Sequence, residues 1–140
     1  MRILVVLDTN VLVSALLKPK SIPDVIVRKS LYGEVIPVLN DDIIAEYDEV
    51  LHRKKFDFID SDIQNTVNGL KQQGMFLNPA EITTEQVLDE KDVIFYAVTM
   101  EARKEEEIAY LVTGNIKHFP ITPYVVTPRE FLTILVDLLL

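Results

Sequence analysis

The continuous apolar run Ile3-Leu4-Val5-Val6-Leu7 constrains the fold more than any other segment of the chain. A run of branched residues without polar alternation is typical of a strand that is buried on both faces, as in the parallel sheet of an α/β protein. After it, short β-rich runs alternate with longer helical ones. This order predicts a three-layer α/β/α architecture of the Rossmann-like kind, with a central parallel sheet of four or five strands.

The remaining elements follow from periodicity, capping residues and turn residues. Further strands are expected over residues 34–39, 75–77, 108–112 and 124–126. Helices are expected over residues 11–17, 23–32, 40 or 41 to about 53, 60–73, 89 to about 104, and from 128 to the last residue, 140. The last helix has the clearest start, because Thr127 is placed at its N-cap, Pro128 at its first position and Glu130 at its third.

The 140 residues match the length of one domain, and no repeat, low-complexity tract or Pro/Gly/Ser-rich linker divides them. Residues 1–140 are therefore predicted to form a single domain. The run 3–7 stops at Asp8, far short of a signal-peptide core or a membrane span. We expect a cytoplasmic protein that makes no use of a membrane.

Charge and composition narrow the chemistry. With 14 Lys and Arg against 22 Asp and Glu, the net charge is −8, which argues against a protein that coats nucleic acid through a basic surface. An enzyme that holds its substrate through metal ions is still allowed. The absence of cysteine excludes a thiolate zinc site and a cysteine nucleophile, and two histidines leave little room for a His-built metal site.

Four polar residues lie where such a sheet places ligand sites, beyond strand ends and near helix starts. They are Asp8, Glu46, Asp92 and Asn115. Each residue also has an ordinary structural explanation. Asp8 suits a strand-end acid or helix cap, and Glu46 suits a solvated acidic face. Asp89 and Asp92 suit a capping pair, and Asn115 suits a turn.

Convergence of three carboxylates would be costly. Two carboxylates about 5 Å apart repel by roughly 3 kcal/mol at an effective dielectric near 20, against a domain stability of roughly 5–15 kcal/mol. Divalent cations or raised pKa values would have to offset this repulsion. An all-oxygen set of ligands suits Mg²⁺ or Mn²⁺.

At these residues the sequence resembles the PIN-domain family of metal-dependent ribonucleases, and within it the VapC-type toxins of bacterial toxin–antitoxin pairs. The most specific part is the buried strand followed by Asp8-Thr9-Asn10, within residues 5–14. Residues 43–51 are similar to the second acidic motif of the family, residues 89–97 to the third, and residues 111–115 to its late strand and turn.

The resemblance implies an endoribonuclease in which Asp8, Glu46 and Asp92 bind Mg²⁺ or Mn²⁺ and Asn115 orients a ligand water. Many family members carry Asp at the position of Asn115, so this chain has one negative charge fewer. The polar residues expected to hold the carboxylates or to contact phosphate are Thr9, Asn10, Ser14, Asp89 and Thr113. Capping of strand and helix ends is the alternative role for these residues.

The implied partners are an RNA substrate, an antitoxin protein and a second copy of the chain in a homodimer. The basic residues considered for the RNA rim are Lys18, Lys20, Lys54, Lys55, Arg103 and Lys117. His118 is either a phosphate contact or an ordinary turn histidine. The apolar stripe of Phe131, Ile134, Leu135 and Leu138 suits burial by a partner, but a terminal helix packed on its own sheet shows the same pattern.

Two other functions compete with the ribonuclease. A phosphohydrolase with an aspartate nucleophile after the first strand generally has a second acid two residues later, where this chain has Asn10, so this hypothesis is less favoured. The other is a PIN-like interaction module that keeps the fold without the chemistry.

Overall fold

The computed structural model describes residues 1–82, 87 and 89–139, and its centre is a parallel sheet. Among the described residues the sheet has five strands in the order β3-β2-β1-β4-β5. The strands are β1 (Leu4–Leu7), β2 (Ile36–Leu39), β3 (Met75–Phe76), β4 (Ala109–Val112) and β5 (Val125–Val126). The predicted α/β class and central parallel sheet are therefore confirmed.

Helices flank this sheet and supply the rest of the core. They are α1 (Thr9–Leu17), α2 (Ile22–Leu31), α3 (Asp41–Leu51), α4 (Asp60–Gln73), α5 (Val93–Glu105) and α6 (Pro128–Leu139). Helix α5 packs against β1, β2 and β4, and α6 packs against β4, β5 and α2. The central strand β1 is almost fully buried, as its unbroken apolar sequence predicts.

The register of the strands decides which side chains meet at the carboxyl edge of the sheet. Leu7 pairs with Val112, so Asp8 and Thr113 leave β1 and β4 side by side. The backbone N–H of Asp8 donates to the carbonyl of Val112 at 3.0 Å, and that of Thr113 donates to Val126 at 2.9 Å. This edge is therefore where polar side chains from distant parts of the sequence converge.

Two helix starts differ from the sequence prediction by two residues or more, whereas α2 begins one residue early, at Ile22. Helix α1 begins at Thr9 rather than residue 11, because Asp8 takes the N-cap position with extended backbone and its carbonyl accepts from the Val11 N–H at 2.9 Å. The helix predicted from Asp89 instead starts as a short 3₁₀ turn, Glu90–Asp92, with Asp89 accepting from the Lys91 N–H. Only at Val93 does the regular helix α5 begin.

The C-terminal helix is capped as predicted. The N–H of Thr127 donates to Glu130 Oε1 at 2.9 Å, and the N–H of Glu130 donates to Thr127 Oγ1 at 3.2 Å. Residue 140, the last of the predicted helix, lies outside the described residues. Phe131 and Leu135 are buried, and Ile134 and Leu138 pack partly against the core. The apolar stripe is thus used by the core of the chain itself.

In the part of the chain that the structure describes, no helix has the length and apolar character needed to cross a membrane. The single domain over residues 1–140 stays a prediction.

Candidate metal centre

Asp8 is a buried carboxylate held in one orientation by two neighbours. Its side chain leaves the end of β1, and the residue is only 4% exposed. The Thr113 hydroxyl donates to Asp8 Oδ2 at 2.7 Å, and Asn10 Nδ2 donates to the same oxygen at 2.9 Å. Two short hydrogen bonds to the same oxygen restrict rotation of the Asp8 side chain more than the rotamer preferences of an isolated aspartate do.

The same neighbours tie the turn after β4 to the turn after β1. Asn10 Oδ1 accepts from the Gly114 N–H at 2.8 Å, and Thr113 Oγ1 accepts from the Asn115 N–H at 2.9 Å. A Cβ at position 114 would lie 3.2 Å from Asn10 Oδ1, which is tighter than ordinary contact. Glycine therefore permits the close approach of the two turns that sets the position of Asp8.

The environment of Asp8 favours its protonated form. Burial is the main cause that raises its pKa from 3.8 to about 6, and the nearby charge of Asp92 raises it further. The hydrogen bond from Thr113 acts in the opposite direction, because it stabilises the carboxylate. The charge of Asp92 therefore disfavours ionisation of Asp8, in addition to the effect of burial.

Asp92 lies at the start of α5, is half-buried, and belongs to a second group of potential ligands. His118 Nδ1 lies 3.0 Å from Asp92 Oδ2. Within the described residues, ligand atoms of Asp89, Asp92 and His118 all lie within 4.8 Å of one another. Burial raises the pKa of Asp92 and the neighbouring Asp89 charge adds to this effect, whereas His118 lowers it.

Glu46 lies in helix α3, which its neighbour Tyr47 anchors to the end of β1. The Tyr47 hydroxyl donates to the carbonyl of Leu7, the residue before Asp8. The ring of Tyr47 packs against that of Phe95, with the ring centroids 6.1 Å apart. Glu46 itself is half-buried. In residues 1–82, 87 and 89–139, no hydrogen bond or ion pair joins its carboxylate to the other acids. The described contacts therefore do not connect Glu46 to Asp8 or to the group around Asp92, and its place in the site stays a prediction.

Three further residues predicted for the site differ in their surroundings. Thr9 is buried, and its hydroxyl has no hydrogen-bond partner among the described residues. Ser14 is exposed in the second turn of α1, and the described contacts do not connect its side chain to the acids. Asn115 is exposed and joins the network through its backbone N–H.

The contact of His118 with the acids is not predictable from the sequence. The residue follows Asn115 by one 3₁₀ turn, Ile116–His118, and that turn folds the imidazole back onto Asp92, 26 positions earlier in the chain. The position of His118 three residues after a strand-end polar residue was the available signal. A turn histidine with no partner has the same spacing, so sequence alone could not separate the two.

The chemistry of these side chains fits a divalent cation. Asp8, Asp89 and Asp92 offer carboxylate oxygens, the ligands that Mg²⁺ and Mn²⁺ prefer, and His118 offers one imidazole nitrogen that Mn²⁺ also accepts. The negative charge of Asp92 contributes to the raised pKa of Asp8. A cation bound by both carboxylates would lower their pKa values instead. The residues present therefore suit the ion that the sequence predicted.

Comparison with protein families supports the same conclusion. A sequence model described as PIN domain matches residues 4–117, well over half of the chain. Comparison with curated proteins and with solved structures gave no match. The matched segment contains every residue of the predicted site, from Asp8 to Asn115, but it ends one residue before His118. The chain therefore belongs to the PIN domain family, whose members are generally nucleases that use divalent metal ions.

Proposed function

We propose that this protein is an endoribonuclease that depends on Mg²⁺ or Mn²⁺. The observation that carries the proposal is the buried Asp8 carboxylate, which Thr113 and Asn10 fix at the end of β1 and whose pKa burial and the charge of Asp92 raise. A carboxylate pair that is pre-oriented and mutually repelling is costly to fold, and binding of a divalent cation offsets that cost.

In this proposal Asp8, Glu46 and Asp92 hold the metal ion. A divalent ion at this position supplies an activated water and neutralises charge that develops on the scissile phosphate. Thr113 and Asn10 keep Asp8 in the orientation for binding, and His118 does the same for Asp92 through its Nδ1 contact. Asn115 orients a ligand water from the exposed turn beside Thr113. Asp89 adds negative charge next to Asp92.

RNA phosphates are proposed to contact basic side chains at the rim. Lys117 has the best position among them, because it is exposed and precedes His118 directly.

The protein is further proposed to act in the cytoplasm as the toxin of a toxin–antitoxin pair, in a homodimer that an antitoxin inhibits. Light scattering of the purified chain tests the homodimer, and a constant monomer mass at high concentration would contradict it.

Cleavage of a mixed RNA pool tests the enzymatic proposal. Wild type is compared with Asp92→Asn in Mg²⁺, in Mn²⁺ and in EDTA. Glu90→Gln is the matched control, because it removes one exposed acid from the same 3₁₀ turn. We expect metal-dependent cleavage by the wild type and the control, and a loss of at least a hundredfold in Asp92→Asn.

An interaction module without catalysis is the alternative function, and the neutral Asn115 at the position of a common family acid is the observation that favours it. Calorimetric titration with Mn²⁺ separates the two. Absence of both cleavage and Mn²⁺ binding in the wild type would favour the module. Mn²⁺ binding that Asp92→Asn removes would instead support the proposed centre.

A further inference from the structure

The loop after β4 forms an apolar pocket beside the candidate metal centre. The pocket has a volume of about 650 Å³ and is lined by residues 116–122 together with Val125 of β5. Its size lies in the range of pockets that hold small organic molecules. His118 lines it and also contacts Asp92, so the pocket and the acids share one side chain.

The walls of the pocket expose apolar side chains to water. Ile121 is fully exposed and Ile116 is 36% exposed, whereas Phe119 is buried and stacks on Tyr96 with ring centroids 6.4 Å apart. Phe119 therefore anchors the loop to α5 while the two isoleucines remain open. Exposed apolar side chains that line one concave surface next to a charged centre are typical of a binding site.

The charges around the pocket restrict its occupant. Lys117 stands on the rim as an exposed cation, and the acids around Asp92 lie on the other side of His118. The occupant must offer an apolar face to the isoleucines and an anionic group close to both Lys117 and a metal ion. In RNA, the base has apolar faces and the adjoining phosphodiester carries the negative charge.

We propose that this pocket binds the nucleobase next to the phosphodiester that is cleaved. The inference rests on the proposed ribonuclease function and deepens it, because it makes one unstacked base a part of substrate recognition. In this proposal the base contacts Ile116 and Ile121, and its phosphate lies near Lys117 and His118, which line the same pocket. Single-stranded RNA is therefore preferred over a duplex, whose bases are stacked and paired.

Direct binding tests the pocket without relying on cleavage. Methyl signals of Ile116, Ile121 and Val125 are followed by NMR in EDTA, during titration of the full chain with each of the four nucleoside 5′-monophosphates. We expect these methyl signals to shift with nucleotides and not with ribose 5-phosphate. Ile121→Ala should weaken nucleotide binding about tenfold. Ile59→Ala, which alters another exposed isoleucine, should leave it unchanged.

Cleavage assays give a second test. An oligoribonucleotide with an abasic residue next to the cleaved bond should show a KM raised about tenfold or more. Ile121→Ala should raise the KM for the intact substrate and have no further effect on the abasic one, because the two changes remove the same contact.

The outcomes separate this inference from the proposed function. The proposed base-binding pocket is contradicted if none of the four nucleotides shifts the methyl signals. It is also contradicted if ribose 5-phosphate shifts them equally. Metal-dependent cleavage with a KM that no abasic position changes also overturns it, while the ribonuclease remains supported. Nucleotide binding at the pocket in a chain that cleaves no RNA refutes the ribonuclease and, with it, the position of the base next to a cleaved bond, although the pocket itself then binds a base. Equal nucleotide binding by wild type and Ile121→Ala refutes the proposed position of the base.

Discussion

Replacement of Asp8 by Asn should stabilise the protein in the absence of divalent ions. Burial and Asp92 raise the Asp8 pKa from 3.8 to about 6. At about 1.4 kcal/mol for each pH unit, ionised Asp8 costs the folded state about 3 kcal/mol. Replacement by Asn removes this cost. The hydrogen bonds from Thr113 and Asn10 are weaker to an amide than to a carboxylate, however, and this difference offsets about 1 kcal/mol of the stabilisation. We therefore expect Asp8→Asn to raise the free energy of unfolding by about 2 kcal/mol at pH 8.

The effect has a defined pH window. A raised carboxylate pKa means that the penalty is fully present above about pH 6 and disappears as the pH falls below 3.8. The advantage of Asp8→Asn should therefore shrink between pH 6 and pH 4, and the lost hydrogen-bond strength should then make the variant slightly less stable. Adding Mn²⁺ at pH 8 should reverse the order, because only the wild type is stabilised by the full metal site, by about 2.7 kcal/mol at a concentration of 100 Kd.

Urea denaturation in EDTA at several pH values between 4 and 8 measures this difference. Asp137→Asn is the control, since it removes an exposed acid from α6 and changes the net charge equally. The reasoning is refuted if Asp8→Asn is no more stable than wild type at pH 8, or if its advantage is the same at pH 4. An identical pH profile for Asp137→Asn would show that overall net charge, and not the site, is responsible.

Three further predictions test individual contacts. His118→Ala should weaken Mn²⁺ binding about tenfold by calorimetry, because the imidazole contacts Asp92 at 3.0 Å, and unchanged affinity would exclude His118 from the centre. Thr113→Val should lower the free energy of unfolding by about 1–3 kcal/mol in urea titrations, because the buried hydroxyl bonds both Asp8 and the Asn115 N–H. Asp60 and Asp48 raise the pKa of His52, so its contribution to stability is complete below pH 6.5 and is lost as the pH rises through the raised value. His52→Gln should remove that pH dependence of the unfolding midpoint, and an unchanged profile would contradict this assignment.

The fold could be predicted from local patterns because its elements carry strong local information. The unbroken apolar run of β1 predicts a buried parallel strand, and the Thr127 and Glu130 pair predicts the start of α6 from two reciprocal hydrogen bonds. The start of α5 was predicted wrongly, at Asp89 instead of Val93. Asp89 caps a single 3₁₀ turn instead of the regular helix, and the short-range sequence pattern is the same for both.

The site could be predicted less completely, because its contacts are long-range. Asp8 and Thr113 are 105 positions apart, and only the pairing of β1 with β4 makes them neighbours. The position of Asp8 after the first apolar run indicated that it lies at the carboxyl edge of the sheet, and the convergence of Glu46 with it stays a prediction. The sequence did not indicate that His118 would contact Asp92, since this depends on the turn after β4. Nor did it predict the apolar pocket, because exposed isoleucines in a loop have no distinctive periodicity.

Asn115 alters the electrostatic balance on which metal binding depends. An Asp at position 115 would add a fourth carboxylate to Asp8, Glu46 and Asp92, on a turn that Thr113 joins to Asp8. Burial and Asp92 have already raised the pKa of Asp8 to about 6, so a further negative charge would add to the repulsion. The amide avoids that repulsion, so it stabilises the protein without an ion. For the same reason it reduces the repulsion that an ion relieves on binding. We therefore expect this chain to bind Mg²⁺ less tightly than its Asn115→Asp variant, while folding more stably than that variant in EDTA.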